Sequence, residues 1–143
     1  MKVYLAGPIN GRSDSECRDW RRRAAEGLGG LAHVFDPMSR DYRGRELEPG
    51  IAQAIVEQDK TDIYLSTAVL VYFDTPSVGT AMEVYYAWSI SRPVFVANVS
   101  GRLPSPWLVY HSRAISPSVD EALDAVRGYH TRGFEAGEPW RAS

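Results

Sequence analysis

Apolar residues cluster in four short runs, at residues 3–6, 32–35, 68–73 and 93–99, with a weaker fifth near 113–115. Runs of this length bounded by Gly, Pro and polar residues read as buried strands. Val69-Leu70-Val71-Tyr72-Phe73 shows no alternation, which predicts a central strand covered on both faces. Helical spacing fills the gaps. One helix is expected over about 13–28, capped by Ser13 or Asp14 and ended by Gly27, Gly29 and Gly30. A second is expected over about 48–66, with a break near Asp62; a third over 78–91, before Pro93; and a last over 119–129, capped by Ser118. This alternation predicts an α/β domain with a mostly parallel sheet over residues 1–130. Residues 131–143 read as a tail with few core positions, in which Phe134 and Trp140 stand out. The segment 37–49, rich in Arg, Asp and Gly, reads as a mobile loop over a site. No internal repeat or low-complexity stretch interrupts the pattern.

Composition narrows the function classes. A chain of 143 residues, 44% hydrophobic and 24% charged, suits one globular domain. A formal net charge of −2 argues against a surface for polymeric nucleic acid, but leaves room for a small phosphorylated ligand held by local donors. The single cysteine, Cys17, excludes an intrachain disulfide and disfavours a cysteine-based zinc site. The first apolar run is broken too early by Gly7-Pro8 to act as a signal peptide. No run approaches the roughly 18 residues of a membrane span. A cytoplasmic location is expected.

In open α/β sheets, ligands sit beyond the carboxyl ends of the strands. Three such loops, 7–12, 74–80 and 99–106, are rich in residues whose N–H and hydroxyl groups can hold an anion. The first lacks the spacing and lysine of a phosphate-binding P-loop and is also compatible with a plain turn. Glu83 follows the second loop near the start of a helix, where the dipole favours an ionised carboxylate. An ordinary helix-start glutamate would occupy the same place. Asp59 lies at i+4 from Ile55 on the stripe Ile51, Ala54, Ile55, so it should face the sheet, either as a working carboxylate or as a buried salt-bridge partner. Glu57 and Asp62 should point to solvent. Two carboxylates on one crevice suit glycosyl transfer, with one attacking the sugar carbon and the other assisting the leaving base or the acceptor. Other reactive residues read as structural. His33, His111 and His130 show no metal spacing, Cys17 is passive, Arg18, Arg21, Arg22 and Arg23 form a solvated face, and Tyr85, Tyr86 and Trp88 serve a core or a dimer contact.

Tyr4-Leu5-Ala6-Gly7-Pro8, Glu57-Gln58-Asp59 and Ser77-Val78-Gly79-Thr80-Ala81-Met82-Glu83 together resemble the nucleoside 2-deoxyribosyltransferase superfamily, over residues 2 to about 127. The resemblance implies a Rossmann-like or flavodoxin-like five-stranded parallel sheet flanked by helices, assembled as a dimer or higher oligomer, with no cofactor. It implies that Glu83 is the nucleophile, Asp59 the assisting acid and Tyr4 an aromatic residue near the active site. The chain is most similar to the branch that hydrolyses 2′-deoxynucleoside 5′-monophosphates. On that match Ser77, Gly79 and Ser105 would bind the 5′-phosphate, with Gly7, Ile9, Asn10 and Gly11 alongside and Ser105 reaching the neighbouring subunit's site. Pro8 departs from the serine common in that branch, which removes a phosphate donor that Arg12 could replace. Pro104 and Pro106 stiffen a loop expected there to be helical. The base-exchanging transferase and a non-catalytic nucleotide-binding module are the alternative readings.

Overall fold

The computed structural model describes residues 1–132. Its elements, in chain order, are β1 (Lys2–Ala6), α1 (Asp14–Leu28), β2 (His33–Phe35), α2 (Ile51–Leu65), β3 (Ala68–Phe73), α3 (Val78–Ser89), β4 (Val94–Asn98), α4 (Pro106–Tyr110), β5 (Ala114–Ser116) and α5 (Val119–Arg132). The five strands form one sheet in the order β2-β1-β3-β4-β5, and every pairing is parallel. This is the flavodoxin-like order, whose direction of winding reverses between β1 and β3. The expected α/β parallel sheet is therefore the observed fold.

Side-chain alternation along the strands assigns the two faces. Val3, Leu5, Leu70, Phe95 and Ala97 pack with Trp20, Ala24 and Leu28 of α1 and Ala122, Leu123 and Val126 of α5. Tyr4, Ala6, Val69, Val71, Val94 and Val96 pack with Ile63 of α2 and Val84 and Ala87 of α3. Tyr4 thus stands on the α2/α3 face of the first strand, at 0% exposure. Ser13 caps α1 through a reciprocal box, accepting from the Glu16 amide while Glu16 accepts from the Ser13 amide.

Several boundaries differ from expectation. Helix α2 starts at Ile51, not near 48, because Gly50 takes a left-handed conformation at φ 80° behind Pro49. It runs unbroken through Asp62, whose carboxylate accepts from Gln58 and Arg40 and so does not compete for the backbone. Ile51 and Ile55 are only half-buried and Ala54 is exposed, so the N-terminal part of α2 projects past the sheet. Its fully buried residues are Asp62 and Ile63. Ser91, at φ 60°, follows the end of α3 two residues earlier than the spacing suggested. Helix α4 was not foreseen as a helix. Ser105 caps it and Pro106 occupies its first turn, where proline is well tolerated. Helix α5 continues through His130 to Arg132. The remainder of the expected tail, with Phe134 and Trp140, lies outside the described residues. No helix among the described residues is long and apolar enough to cross a membrane.

Candidate active site

The crevice at the β1/β3 reversal is where this sheet order opens a ligand site. Tyr4 of β1, Asp59 of α2 and Glu83 of α3 lie close enough beside it to act on one another's titration. Glu83 is the sixth residue of its helix, so it lies past the first turn, where the dipole acts most strongly. Its side chain turns back toward the helix start, since a Cβ built on Gly79 would lie 4.0 Å from Glu83 Oε1. Burial pushes the Glu83 carboxyl up to about 8, opposed by the Tyr4 hydroxyl and Arg21 and reinforced by Asp59. Burial thus works against the ionised form that the helix start was expected to favour.

The Tyr4 hydroxyl is directed at both carboxylates. It weighs on the titration of Glu83 and of Asp59, and its own proton is held more tightly through burial and the two nearby acids. It closes no full hydrogen bond to either, so Tyr4 Oη and Glu83 Oε2 are buried without a partner. Such groups are costly to leave unsatisfied, and they cluster where a ligand or water completes the set.

Asp59 sits under a second layer of charge. Arg40, in the loop after β2, reaches Asp59 Oδ1 at 3.3 Å and Asp62 Oδ2 at 2.8 Å. Burial raises the Asp59 carboxyl and Arg40 opposes the rise. Asp62 is buried rather than solvated, because it anchors this arginine. Beside Asp59 lies a cavity of about 70 Å³ lined by Ile9, Asn10, Met38, Arg40, Arg43 and Ile55, among others. The segment expected to be a mobile loop is pinned above it. Pro37 and Met38 are buried in a short 3-10 turn, and Arg43 pairs with Asp14 at 2.5 Å and Asp41 at 2.7 Å.

Ser77 caps α3, accepting from the Thr80 amide at 3.4 Å. It lines a second, larger hollow of about 590 Å³ between α3 and α4, together with Asp74, Thr80, Arg102, Ser105 and Trp107. Ser77 and Ser105 therefore share one groove, while Ile9 and Asn10 share the small cavity with Asp59. Gly7 is buried. A Cβ there would meet Trp20 Cζ2 at 2.5 Å, and its carbonyl accepts from Arg21 at 3.0 Å. Gly11 turns the same loop at φ 72°. Arg12, the suggested replacement for a missing phosphate donor, is already engaged by Asp74 and Glu16, both at 2.8 Å.

Arg21, Arg40 and Asp62 were missed as site residues. Arg21 is buried, not part of a solvated face. The signal was present: Cys17, Trp20, Arg21, Ala24 and Leu28 form one buried stripe of α1. The histidines take local roles. His111 bonds the Trp107 carbonyl at 2.6 Å among aromatic rings, and His130 contacts Thr67 at 2.9 Å. Among the described residues, no three His, Cys, Asp or Glu side chains are grouped to hold a metal ion.

Comparison with known proteins agrees with this fold. A solved structure of a 2-deoxyribosyltransferase from Bacillus psychrosaccharolyticus superposes with a TM-score of 0.71 at 18% identity, covering 90% of this chain and 92% of its own. A conserved protein from Enterococcus faecalis V583 superposes with a TM-score of 0.70 at 14% identity, covering 89% and 97%. At these identities the likeness concerns the fold. No curated protein matches the chain significantly by sequence. The family model for nucleoside 2-deoxyribosyltransferase matches residues 3–123, spanning β1 to α5 and every candidate residue above, and the chain belongs to that family.

Proposed function

We propose that this protein is an N-glycosidase that cleaves the base–sugar bond of a (deoxy)nucleoside 5′-monophosphate, with Glu83 as nucleophile, Asp59 as acid and base, and Tyr4 between them. The observation that carries the reading is the Tyr4 hydroxyl, buried and directed at two carboxylates supplied by different helices. In the free site one proton rests on Glu83. Moving it to Asp59 by way of Tyr4 leaves Glu83 as carboxylate and loads Asp59 as acid, with no net change of charge. Glu83 then bonds to C1′ as the C1′–N bond breaks, and Asp59 gives its proton to the departing base. Water, deprotonated by Asp59, attacks C1′ and frees Glu83, restoring one proton to the pair.

The phosphate preference is supported by the α3 start. There the Ser77 hydroxyl, the Gly79 backbone and the helix N-terminus converge beside a groove that also contains Arg102 and Ser105. The groove faces solvent with Trp107 73% exposed, Val78 80% and Leu103 96%. An apolar face of this kind fits a protein partner, and a second copy of the chain would carry Ser105 to its neighbour's site. No cofactor enters this chemistry, and a cytoplasmic location suits the substrate.

Pro8 keeps the base-exchanging transferase as the second reading, since the loop after β1 lacks a hydroxyl there and Arg12 is already paired. Incubation with a panel of free nucleosides and 5′-monophosphates discriminates. Release of free base and sugar phosphate from the monophosphates alone supports the hydrolase. Turnover of unphosphorylated nucleosides only with an added base means the transferase. Binding without loss of base from any substrate would leave a nucleotide-binding module.

A further inference from the structure

Arg102 follows β4 in a loop whose backbone is tightly held. The Asn98 side chain donates to the Arg102 carbonyl at 2.9 Å and accepts from the Ser100 amide at 3.2 Å, while Ser100 Oγ accepts from the Arg102 amide at 3.1 Å. Gly101 turns the chain between them at φ 69°. The Arg102 guanidinium itself makes no ion pair or hydrogen bond among the described residues. Arg12, Arg40 and Arg43, in the loops after β1 and β2, are each held by a carboxylate. An exposed arginine alone is a solvated charge. Arg102, however, lines the hollow of about 590 Å³ between α3 and α4, together with Ser77, Thr80 and Ser105. Thr80 is only 5% exposed, and its Oγ1 has no hydrogen-bond partner. Asp74, the acid of the same hollow, is already neutralised by Arg12. The uncompensated charge of the hollow is therefore positive.

We propose that Arg102 is the cation that binds the substrate's 5′-phosphate and sets the preference for a nucleotide over a free nucleoside. This rests on the reading of the substrate as a 5′-monophosphate. A phosphomonoester carries about 1.5 to 2 negative charges at neutral pH. The start of α3 offers only about half a positive charge, and the Ser77 and Thr80 hydroxyls add hydrogen bonds but no charge. A side-chain cation supplies the rest. Arg12 is not available for this, being engaged by Asp74 and Glu16. The planar fork of Arg102 is free to donate to two phosphate oxygens at once. The place also suits the chemistry. Gly79 stands between Val78 and Thr80 at the start of α3, and a Cβ on it would lie 4.0 Å from Glu83 Oε1. A phosphate held at that helix start is about one helical turn from Glu83, within the reach of the sugar that joins the two.

The test is calorimetric binding of each common 2′-deoxynucleoside and of its 5′-monophosphate, in the Glu83→Gln background so that the base stays attached. The quantity read is the ratio of the two affinities for the base bound most tightly. Arg102→Gln keeps a polar side chain and removes the charge. It should cut the preference for the monophosphate about tenfold or more, while the affinity for the nucleoside stays within about twofold. Arg23→Gln removes the same charge from the α1/α5 side, where Arg23 pairs with Asp120, and should leave the ratio unmoved. A ratio preserved in Arg102→Gln overturns the proposal and leaves Arg102 a solvated charge. An equal fall in Arg23→Gln overturns it too, since net charge alone would then account for the effect. If the chain with Arg102 intact shows no preference for the monophosphate, the phosphate reading itself fails and this inference with it. Preference kept by Arg102→Gln leaves that reading standing and removes only the role of Arg102.

Discussion

Arg12 and Asp74 form a two-point ion pair, Nη1 to Oδ2 at 2.8 Å and Nη2 to Oδ1 at 2.9 Å, that ties the loop after β1 to the loop after β3. These two loops flank the reversal of the sheet, so the pair sets the width of the crevice mouth. Glu16 and Thr75 complete the guanidinium's shell. The charge-assisted contacts to Asp74 and Glu16 hold the Arg12 proton more tightly than usual. Arg12→Ala should therefore loosen ligand binding without touching the chemistry. The expected result is a KM raised about tenfold with kcat changed less than threefold, since an interaction made equally in ground and transition states affects binding alone. Steady-state kinetics on the best substrate of the panel checks this.

Glu83 also couples stability to pH. Its carboxyl titrates near 8 in the folded chain and near its ordinary value of 4.5 when unfolded. Between those values the folded state holds a proton that the unfolded state has lost. Stability therefore falls as pH rises from about 4.5 to 8, and Glu83→Gln escapes the loss. Thermal melts should show the two proteins nearly equal at pH 4.5, with the variant gaining steadily up to pH 8 and ending a few kcal/mol ahead. A constant difference across that range would contradict the buried-acid account.

Tyr4→Phe separates folding from function at one atom. The hydroxyl is buried without a full partner, so removing it should leave stability within about 1 kcal/mol of wild type, or slightly improve it. The same change deprives Glu83 of a group that holds its titration down, and on the proposed mechanism it breaks the proton route to Asp59. Activity should drop roughly 10²-fold, in the range of general acid–base contributions. Calorimetry and kcat on the same preparation test both halves.

Arg40 and Asp62 predict a thermodynamic cycle. Arg40→Met leaves the buried Asp62 and the half-buried Asp59 without their cation. The loss should be about 2 kcal/mol, below the range for fully buried pairs because Arg40 is partly exposed. Asp62→Asn in the same chain should recover most of it, as the uncompensated charge is gone. Additive losses in denaturant melts would mean that the pair is not coupled.

Most of the fold was legible because strands and helices here obey their own periods. The unalternating run at Val69 to Phe73 is the central strand, and Ser13 caps the helix that its spacing announced. What failed was the burial of charge. Arg21 and Asp62 fall on inward faces of their helices, but a charge on an inward face can be read as solvated until its partner is known. Those partners, Gly7, Asp36 and Arg40, come from loops distant in sequence. The family resemblance singled out Tyr4, Asp59 and Glu83 as a group. It could not indicate that Glu83 would be protonated at neutral pH, because that follows from desolvation, which is set by packing. Helix α4 was hidden by its prolines, although Pro106 stands in the first turn, where the missing N–H does no harm.

The central claim is that Glu83 becomes covalently bonded to the sugar. Rapid acid quench of the enzyme during turnover of a 2′-deoxynucleoside 5′-monophosphate, followed by peptide mass spectrometry, tests it directly. The account predicts a deoxyribose-phosphate increment on the peptide carrying Glu83, formed with wild type and absent in a folded but inactive Glu83→Gln. An increment on another residue, or wild-type turnover by Glu83→Gln, would contradict it.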